Sequence, residues 1–305
     1  MIDLTPQLLN PDPYLKPSVK MSPFNGSISS YQIGKDYLAK QSKLGNLLLN
    51  RDGHFSFTKG GRQAIQLVLE KIVDKGDFLI SIITPSGSTY VSGCVTNEIS
   101  KVCQYEIGYS DDADAYFFIH EFGRCAEIPQ KVLLSGKYII EDCAYALVHP
   151  EYNAKYGKAG DFVIFSFPKA FNMQYGGALF SKYQFPCFGD EYIKNLFFEE
   201  FKDLYLKNKY RLENYRSLQR EIKQAGLKEY LPATRYSVPH AIYVEIPPYA
   251  DLETIKIHMN NVGVESSVFY GNPAYFLPCH HNLTKLDMKY MIRHLKYIID
   301  ETRRK

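Results

Sequence analysis

The pattern of apolar residues divides the chain into regions of different character. Between residues 56 and 185, short β-rich apolar runs alternate with turn signals and helical stretches. This alternation is typical of a mainly parallel sheet with helices on both faces, because such strands are buried on both sides. We therefore predict an α/β domain over this region. The runs predicted as its strands are 78–83, 115–119, 138–140, 162–167 and 178–181.

The regions on either side have other patterns. Residues 1–55 are rich in Pro, Asn, Ser and Gly, carry a helix-like pattern only at 36–49, and are predicted to form an N-terminal arm. Residues 186–230 place apolar residues at helical spacing and predict one or two long connecting helices. Residues 231–305 predict a small C-terminal α+β domain. Its elements are a strand at 241–246, a helix at 252–261 and a last helix opened by Thr284.

Composition narrows the range of functions. The 305 residues include 36 Lys plus Arg and 33 Asp plus Glu, which leaves a net charge of +3 with no long basic run, so we expect no nucleic-acid partner. The chain starts without the basic and apolar segments of a signal peptide and contains no run of 18 apolar residues. We therefore predict a cytoplasmic protein that does not bind membranes.

The cysteines do not indicate a metal site. All six stand singly, without the paired spacing that zinc sites use. We expect them to be buried free thiols and predict no bound metal.

A serine and a lysine follow the apolar run at 162–167. Ser166 and Lys169 stand three residues apart, and Gly176 and Gly177 follow closely. Ligands of open α/β sheets bind at the carboxyl ends of the strands, where a lysine amine can attack a carbonyl group. The alternative is a solvated loop lysine, since most lysines are exposed.

Two acids end another predicted strand. Glu141 and Asp142 close the run at 138–140, and Asp142 lies 27 residues before Lys169. A lysine together with a carboxylate suits pyridoxal phosphate: the amine forms an imine with the cofactor, and the carboxylate keeps its ring nitrogen protonated. Asp142 could instead be a helix N-cap.

Two further segments fit such a cofactor. Gly60, Gly61 and Arg62 open a predicted helix, whose free N–H groups and positive dipole end suit a phosphate. Tyr90 follows a predicted strand and could stack on a planar ring. Glycine before a helix is also common for conformational reasons alone, and tyrosines often belong to the core.

The order of these segments resembles the fold-type I pyridoxal-phosphate enzymes and, among them, the DegT/DnrJ/EryC1/StrS family of sugar aminotransferases. The resemblance extends over residues 56–177, where it includes the segment His120 to Gly123, and it resumes at 276–284. It implies a large domain with a mostly parallel seven-stranded sheet between helices, followed by a small C-terminal α+β domain.

The resemblance also implies roles for individual residues. Lys169 is the Schiff-base lysine and proton shuttle, and Asp142 pairs with the pyridine nitrogen. Tyr90 stacks on the ring. The residues implied to hold the phosphate are Gly61, Arg62 and Ser166.

The sequence departs from the family pattern at three points. Only two residues separate Ser166 from Lys169, whereas many members have a longer spacing. Tyr145 stands where members usually have the glutamine that binds the phenolic oxygen of the cofactor, and a tyrosine hydroxyl can make a similar hydrogen bond. The family's Gly-x-Asn-x-Arg segment is not visible between residues 183 and 235.

The activity implied is transfer of an amino group from L-glutamate to a nucleotide-linked keto sugar by a homodimer. Family members that act as dehydratases have histidine at the position of Lys169. A relative that binds a ligand without turnover, or a pyridoxal-phosphate enzyme of another reaction type, is the alternative. A serine hydrolase would need a Lys-Thr-Gly element after residue 169, and a dinucleotide enzyme would need G-x-G-x-x-G; the sequence has neither.

Overall fold

The computed structural model describes residues 19–24, 43–74, 76–152, 155–188, 191–234 and 237–303. Most of the arm predicted over residues 1–55 therefore lies outside the described residues. Of the helix predicted at 36–49, the described part forms α1 (Leu44–Leu49). The chain divides into two compact units. The larger comprises Phe24–Asn208 and Thr234–Val238, and the smaller Met1–Pro23, Lys209–Ala233 and Pro239–Lys305.

The larger unit contains a seven-stranded sheet with the order β1-β7-β6-β5-β4-β2-β3. Only β7 runs antiparallel to its neighbours, β1 and β6. The prediction of a mostly parallel seven-stranded sheet is confirmed. The strands are β1 (His54–Thr58), β2 (Leu79–Ile83), β3 (Gln104–Ile107), β4 (Ala115–Ile119), β5 (Tyr138–Asp142), β6 (Phe162–Ser166) and β7 (Gly177–Ser181).

The larger unit also contains helices, most of which lie between two strands along the chain. The first long helix has apolar residues at helical spacing, so one of its faces is buried against Ile80, Ile82, Phe162 and Ile164 of the sheet. Each such side chain stabilises the fold by about 2 kcal/mol on burial. The helices are α2 (Gly61–Ile72), α3 (Gly93–Ile99), α4 (Gln130–Leu133), α5 (Phe167–Ala170) and α6 (Glu191–Lys202), and α7 (Leu204–Gln224) follows them.

The smaller unit contains a three-stranded antiparallel sheet with the order β8-β10-β9. The prediction of a small α+β domain is confirmed. Thr284 precedes the last helix and its hydroxyl accepts a hydrogen bond from the backbone N–H of Asp287, as an N-cap does. The elements are β8 (Ala241–Glu245), α8 (Leu252–Asn261), β9 (Ser267–Phe269), β10 (Ala274–Pro278) and α9 (Lys285–Arg303).

Two further features concern the exposure of the cysteines and the length of the apolar helices. The expectation that all cysteines are buried is wrong: Cys94, in the first turn of α3, and Cys187, in the loop after β7, are exposed, and Cys125 is half-buried. In the described part of the chain, no helix is long and apolar enough to cross a membrane.

Candidate functional site

Six strands of the large sheet have their carboxyl ends at one edge. β2, β3, β4, β5 and β6 are parallel, and β1 shares their direction because β1 and β6 are both antiparallel to β7. Ligands bind outside such carboxyl ends in open α/β sheets. The residues that end these strands are Thr58, Ile83, Ile107, Ile119, Asp142 and Ser166.

The corner between β1, β7 and β6 is shaped for a small anion. Gly177 pairs with Thr58 on one side and Ser166 on the other, and a Cβ on Gly177 would lie 2.8 Å from the carbonyl carbon of Gly60. A Cβ on Gly61 would lie 3.7 Å from the Cβ of Ser166, so the start of α2 faces this serine. The N-cap of α2 is Gly60, which has no side chain to accept from the first turn, so the N-cap leaves first-turn N–H groups for a ligand.

Lys169 lies in the one-turn helix α5 that follows β6. The turn is anchored to β7 because the N–H of Phe167 donates to the carbonyl of Gly176, at 3.0 Å, and the N–H of Gly176 donates to that of Lys59, at 2.9 Å. The half-buried Lys169 side chain places its Nζ 4.9 Å from the centre of the Tyr145 ring. The amine is therefore held at the carboxyl edge of the sheet, beside an aromatic face.

Asp142 is buried at the same edge. Its Oδ1 accepts a hydrogen bond of 2.8 Å from the N–H of Ala144. Among the described residues, the carboxyl group makes this one hydrogen bond. Burial raises the pKa of Asp142, although the Ala144 N–H and the electrostatic effects of His120 and Lys169 act in the opposite direction. Asp142 and Lys169 therefore lie within electrostatic range of each other, and the acid has spare acceptor capacity.

Glu141, the preceding residue, has the opposite surroundings. Its carboxylate accepts hydrogen bonds from His120 Nε2 at 2.8 Å, from the N–H groups of Gly157 and Ala159 at 2.7 and 2.9 Å, and from Gly160. Burial opposes ionisation, but the His120 hydrogen bond and those of the backbone N–H groups keep the pKa of Glu141 below its ordinary value. This acid is part of the scaffold.

His120 organises the loop after β4. Its Nδ1 accepts a hydrogen bond of 3.1 Å from the N–H of Ala126, so the ring proton lies on Nε2 and is donated to Glu141. Cys143 could join these two residues as a metal-ligand set, with ligand atoms within 4.8 Å of one another. Both ring nitrogens of His120 are already hydrogen-bonded, however, so the geometry favours a structural network.

The same loop presents Phe122 to Tyr145. Phe122 has φ 47° and ψ 37°, a left-handed conformation that is strained for a bulky residue. Its ring centre lies 4.8 Å from that of Tyr145, whose ring in turn faces Lys169. Tyr156 anchors the loop, because its hydroxyl donates to the carbonyl of Gly123. The strained backbone therefore supports the aromatic face on which the lysine amine lies.

Arg62 lies beside the anion corner, and Tyr90 lies in the loop before α3. Arg62, in the first turn of α2, donates through Nη2 to the Sγ of Cys94 at 3.0 Å. Tyr90 is half-buried in the loop before α3, two residues before the N-cap Ser92. The Arg62 contact thus joins the first turn of α2 to the first turn of α3.

The structure brings together most residues singled out from the sequence. Gly61 faces Ser166, Lys169 lies on Tyr145, and Asp142 is within electrostatic range of Lys169. For Tyr90, the structure places the residue in the loop that leads to Cys94. Sequence reasoning missed Cys94 and Phe122. The segment from His120 to Gly123 is part of the family resemblance, but a single backbone dihedral angle leaves no signal in a sequence.

The fold defines a class: this is the fold-type I architecture of pyridoxal-phosphate enzymes. Spr1654 of Streptococcus pneumoniae, a protein that carries the name of a sugar aminotransferase and was solved in its PMP form, aligns with a TM-score of 0.68 and 13% identity over 90% of this chain and 93% of its own. No family model and no curated protein matches the sequence.

Two other solved structures have the same fold. A DegT DnrJ EryC1 StrS aminotransferase from Brucella abortus aligns with a TM-score of 0.65 and 16% identity over 88% of this chain and 91% of its own. DesI, solved in the presence of its TDP-sugar product, aligns with a TM-score of 0.65 and 14% identity over 89% of this chain and 86% of its own. The chain therefore shares the fold of these aminotransferases over nearly its whole length.

Proposed function

We propose that the chain is a member of the DegT/DnrJ/EryC1/StrS family and a pyridoxal-phosphate-dependent aminotransferase. The observation that carries this proposal is the convergence, at one carboxyl edge of the sheet, of an amine, a buried carboxyl group with spare acceptor capacity, and an uncapped helix start beside a serine. The likeness to aminotransferase structures supports it at the level of the fold.

The residues present fit this cofactor. First-turn N–H groups at Gly61 and the hydroxyl of Ser166 would bind its phosphate, with Arg62 adding a positive charge. Asp142 would accept a hydrogen bond from the protonated ring nitrogen of the cofactor. This nitrogen carries a positive charge, and a positive charge beside a buried acid lowers the pKa of that acid. Tyr90 would stack on the ring, and Tyr145 would face it beside Lys169. Bound in this way, the cofactor supplies the electron sink for amino-group transfer.

Lys169 would carry out the proton transfer. Its amine would hold the cofactor covalently between turnovers and, once displaced by the amino donor, would take the proton from the donor's α-carbon. The Tyr145 ring, supported by Phe122, keeps Nζ at the sheet edge and so reduces the freedom of a long side chain. Asp142 would preserve the charge of the ring nitrogen during this transfer.

We further propose L-glutamate as the amino donor and a nucleotide-linked keto sugar as the acceptor. The likeness to DesI, which was solved with its TDP-sugar product, supports a sugar acceptor. We also expect a homodimer that works in the cytoplasm.

Absorption spectroscopy tests the proposal. The protein mixed with pyridoxal phosphate should develop the visible band of a lysine-bound cofactor, and L-glutamate should convert it to the spectrum of the pyridoxamine form. Lys169→Ala should lose the band. Lys182→Ala, which removes a lysine that is 64% exposed just after β7, is the matched control and should keep it.

The possible outcomes separate the alternatives. A band that glutamate and other amino acids leave unchanged would indicate a protein that binds the cofactor without transamination. No band in the wild type, or an equal loss in both lysine variants, would contradict the assignment of Lys169.

A further inference from the structure

Arg62 has a partner that the proposed cofactor does not explain. Its guanidinium donates to Cys94 Sγ at 3.0 Å, and both side chains are exposed. The carboxylate of Glu98 also acts on Arg62, but this acid accepts hydrogen bonds from Gln66 and Lys101. Among the described residues, the thiol is thus the group that accepts a hydrogen bond from the guanidinium.

The surroundings of Cys94 favour its ionised form. Partial burial opposes ionisation, but hydrogen bonds with Arg62 and Ser92 and the positive charges of Arg62 and Lys169 hold the pKa of Cys94 below its ordinary value. A thiolate beside two cations is the reactive form of cysteine. Lys169 contributes to this effect, so Cys94 lies within electrostatic range of the lysine.

We propose that Cys94 and a bound phosphate group compete for the guanidinium of Arg62, so that Cys94 is a positioning residue of the anion corner and its modification is coupled to occupancy of the site. The inference rests on the proposed function, because that function makes Arg62 a phosphate ligand. A phosphate dianion and a thiolate that share one cation repel each other, and each therefore weakens the binding of the other by the same factor.

Thiol labelling tests the coupling without any measurement of activity. Iodoacetamide would be added to the wild type, and the carboxamidomethylation of each cysteine would be followed by mass spectrometry. Cys187 is the internal reference, because it is the other exposed cysteine and lies elsewhere in the chain. Without ligand, Cys94 should react faster than Cys187, because Arg62 and Lys169 favour the thiolate of Cys94.

Ligands should slow this reaction selectively. Pyridoxal phosphate, and inorganic phosphate at higher concentration, should reduce the labelling rate of Cys94 about fivefold and leave Cys187 unchanged. In Arg62→Gln, Cys94 should react slowly from the start, with little further effect of the ligand. Equal slowing in the wild type and in Arg62→Gln would overturn the proposal, because the ligand would then act only by covering the thiol.

Variants of Cys94 test the reciprocal effect on binding. Cys94→Ser removes the negative charge and should strengthen phosphate and cofactor binding about threefold, whereas Cys94→Asp keeps a permanent charge and should weaken both about tenfold. Equal affinities for the two variants would contradict the competition. Because Cys94 is exposed, the unfolding curves of both variants should match that of the wild type and so exclude misfolding.

The two proposals fail in different ways. If pyridoxal phosphate gives no visible band but inorganic phosphate still protects Cys94 through Arg62, the proposed function is wrong and the competition stands. If the band forms and glutamate converts it, while the labelling rate of Cys94 does not change on ligand binding, the proposed competition is wrong and the proposed function stands.

Discussion

The two acids that end β5 are neighbours in sequence and opposites in environment. Side chains of successive strand residues point to opposite faces of a sheet, so Glu141 and Asp142 enter different surroundings. Glu141 meets His120 and three backbone N–H groups, whereas Asp142 meets the N–H of Ala144. The pKa of Glu141 is lowered and that of Asp142 is raised as a result.

This difference separates scaffold from site. A buried carboxylate whose lone pairs are all used stabilises the fold in its ionised form. A buried carboxyl group with spare acceptor capacity is unfavourable until a cation or donor completes it, so such a group marks a place where a ligand is expected. Glu141 and Asp142 are adjacent and chemically similar, so the difference between their pKa shifts reports the difference between their surroundings.

The largest effect should come from Asp142→Asn. This variant keeps the shape of the side chain but cannot balance a cationic ring nitrogen, so amino transfer from glutamate should slow about a thousandfold. Rapid-mixing absorption spectroscopy of the reaction with glutamate measures the rate. A rate close to that of the wild type would contradict the role proposed for Asp142.

The same variant should not lose stability in the ligand-free protein. A raised folded-state pKa means that the contribution of Asp142 to stability is present below its unfolded pKa and is lost as the pH rises through the folded pKa. Relative to the wild type, Asp142→Asn should therefore become more stable as the pH increases. Urea unfolding at several pH values tests this sign.

Glu141→Gln should show the reverse behaviour. It disrupts a buried charged network and should cost about 3 kcal/mol of unfolding free energy at neutral pH. Because the folded-state pKa of Glu141 is lowered, this contribution is present above the unfolded pKa and lost as the pH falls through the folded value, below 4.5. The gap between wild type and variant should thus close in acid. A gap that is the same at all pH values would show that packing, not ionisation, causes the loss.

Tyr156→Phe should have a smaller effect on the scaffold side. The Tyr156 hydroxyl joins the carbonyl of Gly123 to the N–H of Val238, and its removal leaves two buried groups without this partner. We expect a loss of about 1.5 kcal/mol in chemical unfolding. Tyr152→Phe, which loses an exposed hydrogen bond of 3.3 Å, is the control and should cost less than about 0.5 kcal/mol.

The smallest effect is expected at Phe122. Phe122→Gly removes the ring contact with Tyr145 but relieves the positive φ, whereas Phe122→Ala removes the ring and keeps the strain. The glycine variant should therefore be about 1 kcal/mol more stable than the alanine variant in urea unfolding. Equal stabilities would indicate that the backbone at this position is not strained.

The strands illustrate how far sequence patterns reach. β2, β4, β5, β6 and β7 were predicted because their residues are apolar and buried on both faces. β3 was not predicted: all four of its residues are exposed at the sheet edge, so burial leaves no pattern in them. β10 ends in Pro278. Because proline is unfavourable inside most strands, the sequence pattern assigns Pro278 to the segment that leads to the last helix.

The amino-acid sequence by itself determined the class of fold and the candidate chemistry at the strand ends, because hydrophobic periodicity and the positions of Gly61, Asp142, Ser166 and Lys169 are local features of the chain. Only the tertiary structure decided which of the two acids on β5 is satisfied, that Phe122 supports Tyr145, and that Cys94 binds Arg62. These contacts join residues that are up to 32 positions apart, and local pattern cannot encode them, since they depend on how strands and helices are arranged around one edge of the sheet.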